Sequence, residues 1–320
     1  MSKNITYNVA IIISKTFEKY RGMVEKDNFF DDYVDLLTKG LQNAGFNYSF
    51  ITLEKGLSET NWKKFDVALF NLAWDYHLNI DCFLTLLKKI ENAGVKLLNS
   101  YETILWNIKK TYLIDLKNKG IKTTETAYVS RNKTASLRDI HSLPLSREFV
   151  LKPAISAAAH KTFRARSLQE AQMIYEAFFD PDELVMVQPF LEEILIEGEW
   201  SFMFFNGVYS HNVQKTADDG SFKVQYASQN TQYNSAEPWM ISKATDILGA
   251  TQKIIGEIPL YARIDVIRRK KELIVTEVEL IEPYLYLFTD SDCQKFITTL
   301  EQKLAEEELD IMLPKIAVAH

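Results

Sequence analysis

The sequence predicts a parallel α/β domain at the N-terminus, followed by a longer α+β portion. In the first hundred residues, compact apolar runs alternate with helical patterns across short connections, which is the order of a parallel sheet covered by helices. Further along the chain, strand patterns follow one another directly, as on either side of Asn206-Gly207, a dipeptide typical of antiparallel hairpins. The length of 320 residues accommodates about two domains of roughly 150 residues each.

The predicted elements of the N-terminal part follow from apolar runs and from glycines at which helices end. The run 7–14 is compact and apolar, as expected of a buried strand. Helix 29–45 has Val34, Leu37 and Leu41 at helical spacing and stops at Gly45, a common C-cap residue. The complete prediction for this part is strands at 7–14, 46–53, 65–72 and 95–99, with helices at 29–45 and 80–93.

The pattern changes after a connecting helix at 101–119, which closes at Gly120. From there on, short strand patterns are interrupted by four helices. The predicted strands are 124–130, 148–153, 184–190, 200–206, 208–215, 258–268 and 272–282. The predicted helices are 134–141, 167–179, 236–253 and 290–308.

Composition excludes several classes of protein. The net charge is −6, whereas general nucleic-acid binding requires a basic surface. The longest apolar runs, such as 9–13, are far shorter than the ~20 residues that span a bilayer, and no signal-peptide pattern is present. The two cysteines, Cys82 and Cys293, have no metal-binding spacing. These observations predict a cytoplasmic protein that binds neither nucleic acid nor membrane. Glycine occurs 11 times, and neither the dinucleotide fingerprint nor the Walker A loop is present.

Charged residues cluster in two adjacent strand patterns near the C-terminus. Arg263 and Asp265 are two positions apart in the first, and Glu277 and Glu279 in the second, so each pair shares one face of its strand. If the two strands pair, three carboxylates and a guanidinium converge. Such hard oxygen donors suit Mg²⁺. Spacing alone leaves open a solvated sheet face with ordinary salt bridges.

Three lysines and one short segment complete the candidate site. Lys152 ends an apolar strand and precedes a run of small residues, Lys110 lies on the connecting helix, and Lys215 ends another strand. Taken singly, each could be a surface lysine. The segment 187–191 could be an interdomain hinge. Its proline removes a backbone donor and keeps the strand at the edge of a sheet, so the segment could also be simply a strand end.

Trp74, Asp75 and Tyr76 follow the apolar strand 65–72. In open α/β sheets, ligands bind beyond the carboxyl ends of the strands. We therefore expect these three residues to line the substrate side of a cleft. The alternative is that the two aromatic residues pack a seam between domains.

Taken in order, these segments resemble the ATP-grasp superfamily, and most closely its glutathione-synthetase-like branch, which includes the cycloserine-forming cyclo-ligase of O-ureido-serine. The resemblance covers almost the whole chain. Its markers are Trp74-Asp75-Tyr76-His77-Leu78, Leu97-Leu98-Asn99-Ser100, Trp106-Asn107-Ile108-Lys109-Lys110-Thr111-Tyr112-Leu113, Leu151-Lys152-Pro153-Ala154, Gln188-Pro189-Phe190-Leu191, Gly198-Glu199-Trp200-Ser201, Ser210-His211-Asn212-Val213-Gln214-Lys215 and Glu277-Val278-Glu279-Leu280-Ile281-Glu282-Pro283.

The resemblance implies an ATP site. Lys110 and Lys152 would contact the phosphates, and Ser156 belongs to the loop that would cover them. Glu199, with Glu193 as a second candidate, would hold the ribose hydroxyls. The adenine would lie against a hinge formed by Gln188, Pro189, Phe190 and Leu191.

The resemblance also implies a metal site and a set of catalytic cations. Asp265, Glu277 and Glu279 would bind Mg²⁺, with Mn²⁺ as an alternative. The residues that would stabilise the phosphates and an acyl-phosphate are Lys215, Arg263 and Lys223.

The implied fold has a pre-ATP-grasp α/β domain (1–100), a connecting helix (101–123), a small central lid domain (124–190) and a C-terminal α+β domain (191–320). Residues 156–162 would be a mobile phosphate-covering loop, although their alanines also permit a rigid helical turn. The implied activity is ADP-forming ligation of a carboxylate to an amine, with amino acids or peptides as substrates and a homodimer as one possible assembly. A degenerate nucleotide-binding protein and an intramolecular cyclo-ligase remain alternatives.

Overall fold

The computed structural model describes residues 6–20, 28–130, 148–216 and 231–312. Within these ranges the strands form three sheets, and helices pack against them. The candidate residue Lys223 and the predicted helix 134–141 lie outside the described residues.

The first sheet is parallel, as predicted. Its strands are β1 (Asn8–Ile13), β2 (Asn47–Thr52), β3 (Val67–Leu72) and β4 (Lys96–Leu98), in the order β2-β1-β3-β4. The helices of this part are α1 (Lys15–Tyr20), α2 (Asn28–Asn43), α3 (Leu53–Ser58) and α4 (Ile80–Asn92). Strand β3 is buried along its whole length, which explains why its sequence is a continuous apolar run rather than an alternating one.

The connecting helix is interrupted. Two helices, α5 (Tyr101–Asn107) and α6 (Tyr112–Asn118), replace the single predicted helix 101–119. Between them, the backbone N–H of Lys110 donates to the carbonyl of Ala154 at 2.8 Å. This hydrogen bond to a distant segment takes the place of a helical one, and for that reason the continuous helix was a wrong prediction.

The second sheet is small and antiparallel. Its strands are β5 (Ala127–Val129), β6 (Phe149–Pro153), β7 (Phe163–Ala165) and β8 (Val185–Pro189), in the order β5-β8-β6-β7. Helix α7 (Leu168–Phe178) packs on it.

The third sheet is antiparallel with five strands. Asn206 and Gly207, both with positive φ, form the two-residue turn between its β9 and β10 strands, as the Asn-Gly pair predicted. The strands are β9 (Glu199–Phe205), β10 (Val208–Lys215), β11 (Thr231–Gln232), β12 (Tyr261–Arg269) and β13 (Glu272–Glu279), in the order β11-β10-β9-β12-β13. The accompanying helices are α8 (Glu193–Ile196), α9 (Pro238–Ile255) and α10 (Asp290–Met312).

One hydrophobic core joins the first and third sheets. Ile11 of β1 and Leu69 of β3 belong to the same buried cluster as Phe205 of β9 and Phe296 of α10. The N-terminal and C-terminal parts therefore share a core. Each of the three sheets lies within one of the predicted ranges 1–100, 124–190 and 191–320, although the boundaries themselves stay a prediction.

A buried asparagine ties these two parts together through the backbone. The side-chain amide of Asn99 donates to the carbonyls of Tyr261 and Leu280, at 2.9 and 2.8 Å, and its oxygen accepts from the N–H of Leu260 at 2.6 Å. Asn99 is 1% exposed. Its amide thus satisfies three backbone groups that would otherwise be buried without partners.

Residues 107–124 run along the outer side of β13. The Asn107 amide bonds the carbonyl of Val278 and the N–H of Leu280, each at 2.8 Å. The N–H of Val278 also donates to the Tyr112 hydroxyl at 3.1 Å, and the N–H of Thr124 donates to Val275. This arrangement fixes the segment that carries Lys110 against the strand that carries the glutamates.

None of the described helices combines the length and the apolar character needed to cross a membrane.

We expect Asn99→Ala to lower the free energy of unfolding by about 3 kcal/mol. The reason is that each buried backbone group left without a partner costs roughly 1–3 kcal/mol, partly recovered by relaxation. Urea unfolding followed by circular dichroism measures the change. Asn118→Ala, at an exposed position at the end of α6, is the matched control. A loss for Asn99→Ala no larger than for the control would contradict the role given to this amide.

Candidate active site

A cavity of about 360 Å³ lies where the three sheets meet. Trp74 comes from the first part, Gln188 from the second sheet, and Arg263 and Glu277 from the third. Residues that are far apart in the sequence therefore face one space, and most of the predicted site residues are among them.

The pairing of β12 with β13 brings the predicted charges together. Arg263 lies opposite Glu279, and Asp265 lies opposite Glu277. Directly opposite residues project on the same side of a sheet. The predicted convergence of three carboxylates and one guanidinium is confirmed.

Asp265 is the most enclosed of these carboxylates, at 2% exposed. Arg263 holds both of its oxygens, with Nε 3.0 Å from Oδ1 and Nη2 2.9 Å from Oδ2. The Ser201 hydroxyl donates to Oδ1 at 2.6 Å, and Lys215 Nζ lies 3.8 Å from Oδ2. Burial alone would raise the pKa of Asp265, but Arg263 and Lys215 outweigh it and hold the pKa below its usual value.

Glu277 is shared by two lysines. Lys152 Nζ lies 2.5 Å from its Oε1, and Lys110 Nζ lies 3.8 Å from its Oε2. Lys110 also donates to the carbonyl of Ser156 at 2.6 Å. Burial favours the neutral acid, but the two lysines prevail and lower the pKa of Glu277 to about 2. The two lysines implied to contact phosphate therefore lie side by side in the cavity.

Lys215 is held at the other end of the charged cluster. Its Nζ lies 2.6 Å from Oε2 of Glu199, whose Oε1 accepts from Thr276 at 2.7 Å. Gly198 allows the backbone of Lys215 to lie close: the φ of Gly198 is +90°, and a Cβ there would lie 2.1 Å from the carbonyl oxygen of Lys215. Burial lowers and the Asp265 and Glu199 carboxylates raise the pKa of Lys215, with a net increase.

Two further carboxylates have a raised pKa, in contrast to Asp265 and Glu277. Burial and the neighbouring Asp265 and Glu277 raise the pKa of Glu279 to about 7, despite its ion pair with Arg263. Burial and the charge of Glu279 raise the pKa of Glu282 to about 8. This end of the cavity carries more negative charge than its cations neutralise.

The carboxylates do not form a ready metal site. Across the described ranges, no three His, Cys, Asp or Glu side chains are arranged to hold a metal ion. The reason is that Asp265 is turned to Arg263, Glu277 to the lysines, and Glu279 to the other side of Arg263. The metal assignment of Asp265, Glu277 and Glu279 stays a prediction.

The predicted hinge forms an apolar wall. Gln188, Pro189, Phe190 and Leu191 line the cavity together with Ile267 and Val278. The guanidinium of Arg164 lies 3.8 Å from the centre of the Phe190 ring and is bonded to Glu148. The N–H of Phe190 already donates to the carbonyl of Glu148 at 2.9 Å. That N–H is consequently not free to donate to a purine edge.

The small-residue loop also borders the cavity. Ser156 to Ala159 and Thr162 line it. Ala158 and Ala159 have positive φ values of 49° and 53°, so the alternative of a right-handed helical turn is wrong. His160 packs against His77 with ring centroids 5.0 Å apart, which joins this loop to the N-terminal part. Whether the loop moves stays a prediction.

The three candidate substrate residues do not all face the cavity. Trp74 and Tyr76 line the cavity, but Asp75 is not among the lining residues. Its Oδ2 accepts from the backbone N–H of Lys15 at 2.8 Å. We therefore correct the expectation for Asp75: its carboxylate holds the start of α1 and does not face the substrate side.

Glu193 also requires correction. Its carboxylate pairs with Arg269, with Arg269 Nη2 to Oε2 at 3.0 Å, and it is not among the lining residues. Of the two ribose candidates, only Glu199 lines the cavity.

Sequence reasoning assigned no role to Asn71, Glu282 and Tyr284, all of which line the cavity. The signal for Glu282 was present, because it follows Glu277 and Glu279 in one short run. Asn71 is a weaker sequence signal, because it is a single polar residue inside an apolar strand.

Comparison with known proteins places these features in context. A family model described as "D-cycloserine synthetase DcsG, N-terminal domain" matches residues 9–99. The cycloserine biosynthesis protein DcsG of Streptomyces lavendulae is 27% identical over 255 residues, which are 76% of this chain and 85% of that protein.

Solved structures share the fold. A crystal structure of D-cycloserine synthetase DcsG matches with a TM-score of 0.81 at 24% identity, over 93% of this chain and 99% of that one. D-alanine–D-alanine ligase from Bacillus anthracis, complexed with ATP, matches with a TM-score of 0.71 at 14% identity, over 96% of this chain and 100% of that one.

The raised pKa values predict how stability depends on pH. A carboxyl group whose pKa is higher in the folded state stabilises the protein below its unfolded pKa and loses that contribution as the pH rises through the folded value. For Glu282 this window runs from 4.5 to about 8. We expect the wild-type melting temperature to fall from pH 5 to pH 8, and the fall to shrink by at least roughly 2 °C in Glu282→Gln, which no longer titrates.

Differential scanning fluorimetry at both pH values measures this difference. Glu91→Gln makes the same charge change at an exposed position of α4 and should keep the wild-type slope. Equal slopes in Glu282→Gln and wild type would contradict the raised pKa.

Proposed function

We propose that this chain, which has the ATP-grasp fold and resembles the cycloserine-forming ligases, is an ATP-dependent ligase that joins a carboxylate to an amine. The observation that carries the proposal is the charged cavity. Four cationic side chains (Lys110, Lys152, Lys215 and Arg263) line the same space as an apolar hinge wall and five carboxylates.

In this proposal, the four cationic side chains bind the phosphate groups. The reaction begins when a substrate carboxylate attacks the γ-phosphorus of ATP, which breaks the bond to ADP and leaves an acyl-phosphate. An amine then attacks the acyl carbon, phosphate departs, and the amine loses a proton. The protein positions the reactants and neutralises charge. Lys110 and Lys152 would hold the ATP phosphates, and Lys215 and Arg263 would hold the transferred group, with Lys223 as a further candidate.

The chemistry of the carboxylate oxygens suits a divalent cation, although in the described residues no three of them are arranged around one point. Glu277 and Glu279 are hard oxygen donors that line the cavity next to Asp265. Burial, and after it the charges of Asp265 and Glu277, raise the pKa of Glu279, and the second of these causes is one that a cation would offset. Mg²⁺, or Mn²⁺ in its place, would supply that neutralisation and polarise a phosphoryl oxygen. Asp265 is the least available of the three, because Arg263 and Ser201 already hold its oxygens.

The relatives support small amino-acid substrates. The ligases that share this fold include a D-alanine–D-alanine ligase and a D-alanine:D-serine ligase. Similarity to D-cycloserine synthetase favours an intramolecular cyclo-ligase as the second candidate. In that case one molecule supplies both the carboxylate and the nucleophile, and no second substrate is needed.

ATP binding gives the first test. Lys152→Ala removes a cation from the proposed phosphate site, and one hydrogen bond to a charged group contributes roughly 1.5–3 kcal/mol. We therefore expect ATP affinity to fall about ten- to a hundredfold, measured from the ATP-dependent rise in melting temperature with Mg²⁺ present. Lys88→Ala, exposed on α4, should behave as wild type. An unchanged ATP response in Lys152→Ala would remove Lys152 from the site.

Turnover gives the second test. ADP release should appear when ATP and Mg²⁺ are combined with a carboxylate from a panel of amino acids and dipeptides, offered singly and in pairs. Glu277→Gln should lower the rate by at least about a hundredfold, because several kcal/mol of charge stabilisation depend on the metal. Release with single compounds, coupled to a cyclic product, would select the cyclo-ligase. ATP binding without ADP release from any member would favour the degenerate nucleotide-binding alternative.

A further inference from the structure

One wall of the cavity has a chemical character different from that of the phosphate side. Asn71, Trp74 and Tyr76 come from the end of β3 and the turn after it, and Glu282 and Tyr284 come from the segment that follows β13. Three aromatic rings, one amide and one carboxylate therefore border the same space.

Of the described carboxylates that line the cavity, Glu282 is the one that forms no ion pair, although Lys110 and Arg263 are near enough to act on its pKa. Each lining cation is bonded elsewhere: Lys110 and Lys152 to Glu277, Lys215 to Glu199, and Arg263 to Asp265 and Glu279. Among the described residues, the Glu282 side chain makes no hydrogen bond or ion pair with another residue. Glu282 is half-buried, and the hydrogen bond that its carboxylate accepts comes from its own backbone. Because a charge that is partly removed from water is costly without a counter-charge, a positively charged ligand would stabilise the ionised carboxylate.

Asn71 supplies a second, independent acceptor. It is 1% exposed, and its Nδ2 donates to the Tyr33 hydroxyl at 3.0 Å. Its Oδ1 is buried and has no hydrogen-bond partner. Buried acceptors in folded proteins nearly always have a partner, so a ligand donor is the natural complement of this oxygen.

The two acceptors and the aromatic rings together favour one kind of ligand group, a protonated amine. A protonated amine carries several N–H donors and a positive charge, and it is attracted to aromatic faces such as those of Tyr76 and Trp74. The closeness of Glu282 to Tyr76 is evident because, after burial, its charge contributes most to the raised pKa of that phenol. A hydroxyl brings one donor and no charge, and a carboxylate would be repelled.

We propose that Glu282 and Asn71 form an ammonium-binding subsite, and that the reacting molecule therefore carries a protonated amino group at this wall of the cavity. The inference rests on the proposed ligase function and makes it more specific. The position expected of Asp75 on the substrate side is thereby taken by Glu282, which comes from the other end of the chain.

The test compares amino acids with their hydroxy analogues. Melting temperatures are measured with Mg²⁺ and a non-hydrolysable ATP analogue, and with added D-alanine or D-lactate, L-alanine or L-lactate, and β-alanine or 3-hydroxypropionate. We expect at least one amino acid to give a saturable increase and its hydroxy analogue to bind at least about tenfold more weakly, which corresponds to about 1.4 kcal/mol.

Variants assign that preference to the subsite. In Glu282→Gln the apparent Kd for the amino acid should rise at least about tenfold, while the response to the ATP analogue stays as in wild type. Glu91→Gln, the matched control on α4, should retain both responses. In turnover, Glu282→Gln should raise KM for the amino acid more than it lowers kcat, and Asn71→Leu should act in the same direction.

Several results would overturn the inference. Equal binding of an amino acid and its hydroxy analogue would do so, as would an unchanged Kd in Glu282→Gln. If Glu282→Gln weakened the Mg²⁺ response instead, Glu282 would belong to the metal. Absence of any amino-acid response, in samples that still respond to the ATP analogue, would exclude the subsite alone. Loss of the analogue response in wild type would count against the ligase function itself.

Discussion

The buried pair of Arg263 and Asp265 is the interaction on which the rest of the site depends. Both side chains are almost fully enclosed, and two charges leave water only when their geometry and remaining hydrogen bonds are well satisfied. Here Ser201 and Lys215 complete the bonding of Asp265, and Glu279 and a backbone carbonyl complete that of Arg263. The pair thus links three neighbouring strands, and the charged side chains of Lys215 and Glu279 contact it directly.

Most of the charged side chains of the cavity pair with one another. The cations proposed for phosphate are bonded to the carboxylates proposed for the metal, so neither set is free alone. A phosphate without a cation would compete with Glu277 for the lysines, and a cation without phosphate would compete with the lysines for Glu277. If the proposed assignment holds, a nucleotide with its metal would supply both charges at once and would let these pairs exchange partners. The proposed site would then favour the complex over either component alone.

The sequence predicted the features that depend on local periodicity. The two-residue spacing of Arg263 and Asp265, and of Glu277 and Glu279, was enough to place their side chains on shared strand faces, and the pairing of β12 with β13 completed the cluster. The errors came from contacts across long sequence separations. Asp75 is held by the backbone of Lys15, Glu193 by Arg269, and the break in the connecting helix by Ala154. No local sequence pattern contains those partners. The unpartnered side-chain oxygen of Asn71 is likewise not apparent from the residues next to it in the sequence.

The covering of β13 by residues 107–124 has a consequence for how the protein behaves in a crowded solution. β13 is the last strand of its sheet, and the free margin of a sheet is a template on which another chain can add a strand. Here the side-chain amide of Asn107 and the phenol of Tyr112 occupy outward backbone groups that an incoming strand would need. The strand with the greatest concentration of carboxylates is therefore closed to intermolecular pairing, which protects it from aggregation while its side chains stay open to the cavity.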